Sequence, residues 1–112
     1  EFKILEAIQF EHGSATLTKE SESTVDQVAL TLKANPQIKK VRVEGHTDDT
    51  GPHDVNVRLS KQRAETVRQR MVSKGVSPKR LDSEGYGPDK PLVEGTSDAA
   101  RSKNRRVQFV VE

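Results

Sequence analysis

Apolar residues recur along this chain with two different periods, and the switching between them outlines most of a fold. Ile4, Ile8 and Phe10 occupy alternate positions near the start, with Leu5 and Ala7 on the opposite side, so the segment reads as a largely buried strand. A turn follows at Glu11, His12, Gly13 and Ser14. Val25, Val28, Ala29 and Leu32 then stand at i, i+3, i+4 and i+7, the spacing that lines apolar side chains along one helical stripe. Thr18 or Ser21 can cap that helix by accepting a backbone N–H, and Pro36 closes it because it cannot continue the ladder and restricts Asn35.

The period returns to two at Val41, Val43 and Gly45, interleaved with Arg42, Glu44 and His46, which predicts a second strand with one buried face. Its end delivers a polar loop from Gly45 to Pro52. A second helix runs to about Lys74, with Gly75 as its stop and Ser60 as one possible N-cap. Leu81, Ser83 and Gly85 form a weaker third strand, the stretch from Gly87 to Thr96 a loop, and Val107, Phe109 and Val111 a final strand. A short helical turn fits around Ala99 to Lys103. Helical crossovers favour parallel pairing, and the last two strands, joined without a full helix, favour an antiparallel addition. The predicted architecture is an α/β (α+β) two-layer sandwich in the order β-α-β-α-β-β, with a mixed sheet and both main helices on one face.

A length of 112 residues leaves room for one domain, residues 1–112, because smaller pieces would bury too little apolar surface. Hydrophobic residues make up 31% and charged residues 32%, so the core is modest. The formal charge of +2 is too small to steer a polyanion, and with one Tyr and no Trp there is no stacking platform for bases; nucleic acid is not an expected partner. The absence of cysteine removes disulfides and thiolate metal sites. No apolar run approaches the roughly 18 residues that span a bilayer, so any membrane attachment is expected through segments outside this one.

Candidate chemistry begins with an arginine at an apolar spacing. Leu59, Arg63, Val67 and Met71 are each four residues apart and span only about 120° of the helix circumference, which puts Arg63 inside the apolar stripe. A guanidinium keeps its proton, so it either meets an anion there or lays its stem on the core and lifts its head to water. Asp48 is the obvious neighbour, since the end of a strand and the start of the next helix share one edge of an α/β layer. The two side chains could form a plain salt bridge. Held a few ångströms apart and open to solvent, they would instead match the ammonium and carboxylate of a zwitterion. His46, Asp48, Asp49, His53 and Asp54 also allow a metal reading, but their spacing matches no helix-borne motif, and no nucleophile-base pairing stands out, so neither a metal cofactor nor an enzyme is expected.

The run Val43-Glu44-Gly45-His46-Thr47-Asp48, then Asn56, Leu59-Ser60, Arg63-Ala64 and Val67, resembles the signature of the outer membrane protein A-like domain family. Gly75-Val76, Gly85-Tyr86-Gly87, Pro91 and Asn104-Arg105-Arg106-Val107 continue the match, so that it covers the chain from Ile8 onward. The chain is similar to peptidoglycan-associated lipoproteins, porin C-terminal domains and flagellar stator anchors. The resemblance implies non-covalent binding of peptidoglycan in the periplasm of a Gram-negative bacterium, attached to the outer membrane, with Asp48 and Arg63 holding the ammonium and carboxylate of meso-diaminopimelate in the stem peptide. By the same resemblance Thr47 supports the loop, Asn56 reaches the ligand from the helix entrance, and Arg105 borders the pocket. Many relatives carry an aspartate near the position of Gly13; here only the backbone N–H groups of Gly13 and Ser14 are expected to face the ligand carboxylate. The alternative is an envelope protein-protein interaction module that does not touch the cell wall.

Overall fold

A computed structural model describes residues 2–6, for their backbone, and residues 8–112 in full. The elements are β1 (Phe2–Glu6), α1 (Lys19–Ala34), β2 (Val41–His46), α2 (His53–Ser73), β3 (Leu81–Gly85), α3 (Asp98–Asn104) and β4 (Arg106–Val111), with a 3-10 turn at Pro78–Arg80 before β3. They form the predicted β-α-β-α-β-β sandwich, and α3 stands where the short helical turn was expected around Ala99 to Lys103. The sheet order is β1-β4-β2-β3, in which β2 and β3 run parallel and β4 runs antiparallel to both β1 and β2. The expected burial of Ile4, Leu5 and Ala7 lies outside the described residues. Phe10, expected on the first strand, lies outside β1 and instead bridges Leu17 in a small hairpin.

Helix α1 begins where Thr18 accepts the N–H of Ser21, and Glu20 and Glu22 place negative charge in its first turn. Ser21 is not the cap; its buried hydroxyl accepts the N–H of Gln9 at 2.6 Å and ties the hairpin to the helix. Val25, Val28, Ala29 and Leu32 are buried, as their spacing requires. The far end of α1 is closed by an arginine from another part of the chain. Arg80 Nη2 donates to the Leu32 carbonyl in the last turn of α1 and to the Asn35 and Ile38 carbonyls of the turn that follows, which fastens the helix end to the start of β3.

On α2 the fully buried line is Ser60, Ala64, Val67 and Met71, so Leu59 and Arg63 lie on the border of the apolar stripe rather than within it. The helix starts seven residues before Ser60, after Pro52, and Ser60 is therefore an interior residue and not an N-cap. Its hydroxyl donates to Val57 O at 2.8 Å and accepts the Gly87 N–H at 2.9 Å. The reason for a small residue there is packing. A Cβ on Gly45 would lie 2.3 Å from Ser60 O, and one on Gly85 would lie 2.3 Å from Lys61 N. Paired glycines at the ends of β2 and β3 thus let the backbone of α2 rest on the sheet, which brings Arg63 to the sheet's rim.

Val41, Val43, Leu81, Val107 and Phe109 meet the two helices in one core. The opposite face departs from the expected polar, solvated side of β2: Glu44 and His46 are 5% and 3% exposed. Glu44 is satisfied there by Arg42 Nε at 2.7 Å and Gln108 Nε2 at 2.8 Å. Burial pushes its pKa up, but these two hydrogen bonds and the charge of Arg42 outweigh that and leave it lowered, so the network carries a buried carboxylate.

Candidate functional site

The loop leaving β2 is held from several sides. Thr47 N–H donates to Gly87 O, and its hydroxyl donates to the Asp48 carbonyl at 2.9 Å. Asp48 Oδ1 accepts both the N–H and the hydroxyl of Thr50, and Oδ2 accepts Arg105 Nη1 at 2.5 Å. Asn56 Nδ2 donates to Thr50 O at 2.7 Å, which makes it a clasp on the loop and not a helix cap. Asp49 pairs with Arg101 at 2.8 Å, so two ion pairs fasten this loop to the corner between α3 and β4.

Asp48 is consequently closed in, at 7% exposure, rather than open to solvent. Burial works to raise its pKa, but Thr50 and Arg105 reverse the effect and leave it lowered, so the group is a carboxylate at neutral pH. Its ionic partner is Arg105, and no Asp48–Arg63 ion pair occurs among the described residues. The plain salt bridge between those two is thereby replaced by a different one.

Arg63 points elsewhere. Its Nε donates to Ser14 O at 2.9 Å and its guanidinium lies 4.8 Å from the centre of the Phe10 ring. Burial lowers its pKa, but a guanidinium stays charged at any physiological pH, and no carboxylate pairs with it among the described residues. Ser14 supplies this carbonyl and not its N–H, which is used inside the turn on Glu11 O at 3.1 Å. The turn that Gly13 permits, with φ of +67°, consumes the donor expected to face a ligand.

Between this hairpin and the α3–β4 corner lies an open cleft of about 600 Å³. Phe10, Gly13 and Arg63 form one wall, Lys103, Arg105 and Arg106 the other, and Gly45, His46 and Val107 contribute from the sheet. Among the described residues lining it, Arg63, Lys103, Arg105 and Arg106 are cationic and none is a carboxylate. Such a cleft attracts an anion. His46 stacks on Tyr86, with ring centres 5.4 Å apart, and neither ring nitrogen has a hydrogen-bond partner. The 3.5 Å approach of its Nε2 to Glu44 is too long to count as a bond. Burial, reinforced by the nearby charge of Arg106, lowers its pKa to about 4 and keeps the ring neutral.

The sequence reading reached Arg63, Gly13 and Arg105, which the fold places on the cleft, while Asp48, Thr47 and Asn56 build the loop beside it. It did not reach Phe10, whose ring supports Arg63, or the cleft-facing positions of Lys103 and Arg106. The signal available for the last two was only their place within two residues of Arg105. Of the histidines and aspartates in the metal reading, Asp49 pairs with Arg101, and His53 meets Asp89 at 2.7 Å and Asp54 at 3.6 Å on the exposed surface. No described helix is long and apolar enough to cross a membrane.

A mixed sheet with two helices on one face and a cationic cleft at its rim defines a small binding domain. The OmpA family model matches residues 9–105, and the chain belongs to this family. Over 104 residues it is 38% identical to the probable lipoprotein YiaD of Escherichia coli, covering 93% of this chain and 47% of that protein. Over 100 residues it is 36% identical to the peptidoglycan-associated lipoprotein of Pseudomonas aeruginosa, covering 89% and 58%. The crystal structure of the periplasmic domain of Helicobacter pylori MotB superposes with a TM-score of 0.80 at 26% identity, covering 96% of this chain and 71% of that one. The chain thus spans about half the length of the two lipoproteins, and it is a domain of the periplasmic cell envelope.

Proposed function

We propose that this domain binds peptidoglycan without covalent attachment, through the meso-diaminopimelate of the stem peptide, and so anchors an envelope protein to the cell wall. The observation that carries the reading is Arg63, a half-buried guanidinium fixed by Ser14 O and Phe10 that faces the cleft with no carboxylate partner among the described residues. A ligand carboxylate would supply the missing anion through two parallel N–H donors. The ligand's ammonium would be received by Asp48, sharing Oδ2 with Arg105, whose half-exposed side chain has room to move. Thr47 and Asn56 hold the loop that carries Asp48, and Gly13 lines the opposite wall. The name of the Pseudomonas relative and the shared family support cell-wall association.

Lysine in place of diaminopimelate lacks the carboxylate and would leave Arg63 unpaired, so selectivity follows from the lost partner. Calorimetric titration with diaminopimelate, lysine and amidated diaminopimelate should give heat only for the first, and Asp48→Ala and Arg63→Ala should abolish it. Equal, undetectable heats for all three at millimolar concentration, with no sedimentation on purified sacculi, would instead favour the protein-interaction module.

A further inference from the structure

The cleft holds more positive charge than one diaminopimelate end can use. Of its cations, Arg105 is neutralised by Asp48, and the reading above assigns Arg63 to the ligand carboxylate. Lys103 and Arg106 remain. Lys103 is exposed on the last turn of α3 and makes no ion pair among the described residues. Arg106 is half-buried, yet its three donor nitrogens meet only neutral acceptors, Gln108 Oε1, Asn104 O and Lys90 O. The nearest buried carboxylate, Glu44, is already engaged by Arg42 and Gln108. His46, which underlies Arg106 in the sheet register, is neutral and adds no compensating charge. Two cations on one wall therefore face a cleft whose described lining carries no anion.

Size points the same way. An open cleft of about 600 Å³ is of the size that receives a drug-sized ligand, more than one amino-acid end fills. We propose that Lys103 and Arg106 form a second anion subsite, which takes another carboxylate of the same stem peptide while Arg63 holds the diaminopimelate carboxylate. This rests on the diaminopimelate reading and deepens it. The chemistry required is a free carboxylate one residue from diaminopimelate. Two sources offer it: the α-carboxylate of the γ-linked glutamate that precedes diaminopimelate, and the terminal carboxylate of the alanine that follows.

The test is calorimetry of the chain and of Lys103→Gln with three tetrapeptides: the parent, one amidated at the glutamate α-carboxylate, and one amidated at the terminal alanine. The parent should bind about threefold to tenfold more tightly than one of the amides, the size of a partly screened ion pair, and that amide names the source. Lys103→Gln should lower the affinity for the parent toward that of the sensitive amide and leave the affinity for that amide unchanged. Parent and both amides binding alike, or Lys103→Gln weakening all three equally, would overturn the second subsite while leaving diaminopimelate recognition standing. If none of the three binds, the diaminopimelate reading itself falls, and this subsite with it.

Discussion

His46 should make the domain's stability depend on pH in a window that few other groups share. The ring is 3% exposed, its nitrogens make no hydrogen bond, and burial, with the charge of Arg106, outweighs the Glu44 carboxylate 3.5 Å away and lowers its pKa to about 4. In the unfolded chain the same ring titrates near 6.5. Between these values the unfolded state binds a proton that the folded state does not. Stability is therefore undiminished above about pH 6.5, falls as pH drops toward 4, and loses nothing further from this group below that. The full gap corresponds to about 3 kcal/mol, a large share of what a domain of this size possesses. His46→Phe keeps a ring against Tyr86 and removes both the proton site and the unpartnered nitrogens. Urea unfolding at pH 7 and pH 4.5 should show the wild type losing about 2 kcal/mol more than the variant. His53, whose pKa is raised chiefly by Asp89 and which therefore favours the folded state as pH falls, is common to both proteins and cancels. Comparing slopes also removes any constant packing cost of the larger ring. Parallel losses in the two proteins would refute the account, because they would mean that the folded ring accepts a proton as readily as the unfolded one.

Two further substitutions probe the frame that carries the cleft. Gly45→Ala drives a methyl group to 2.3 Å from Ser60 O, so α2 must move; about 2–4 kcal/mol of stability should be lost, with weaker diaminopimelate binding because Arg63 shifts with the helix, and an unchanged Tm would show that the helix is not in close contact there. Arg80→Ala removes the donor shared by the carbonyls of Leu32, Asn35 and Ile38, for which we expect a loss of about 2 kcal/mol and a thermal midpoint lower by roughly 10 °C; Arg80→Lys should recover only part of it, since an ammonium can stand in for Nη2 but not for the separate bond from Nε to Ile38 O, and full recovery would show that the Nε bond contributes nothing.

The helical stripe of α1, the alternations of β2 and β4 and the order of elements were legible because each is a local consequence of burying one face. Gly75 as a helix stop was legible for the same reason: it takes φ of +103° just past Lys74, the residue that caps α2. Ser60 misled because a serine near a helix entrance has the chemistry of a cap. Its buried role arises from Gly45 in another element, which no local pattern records. The polar side of β2 misled likewise, since alternation says that Glu44 and His46 share a face but not that this face is covered.

For the candidate site the division is sharper. The place of Asp48 at a strand end beside the next helix, the apolar spacing of Arg63 and the family resemblance pointed to both residues, while whether Arg63 meets an anion or lifts its head to water stayed open in the sequence. Which charge meets which was decided by the fold: Arg105, distant in sequence, takes Asp48, while Arg63 turns to Ser14 and Phe10 and faces the cleft. Local periodicity is written along the chain because it follows from the geometry of one element, whereas ion pairing depends on where separate elements come to rest, and that is settled only when they pack.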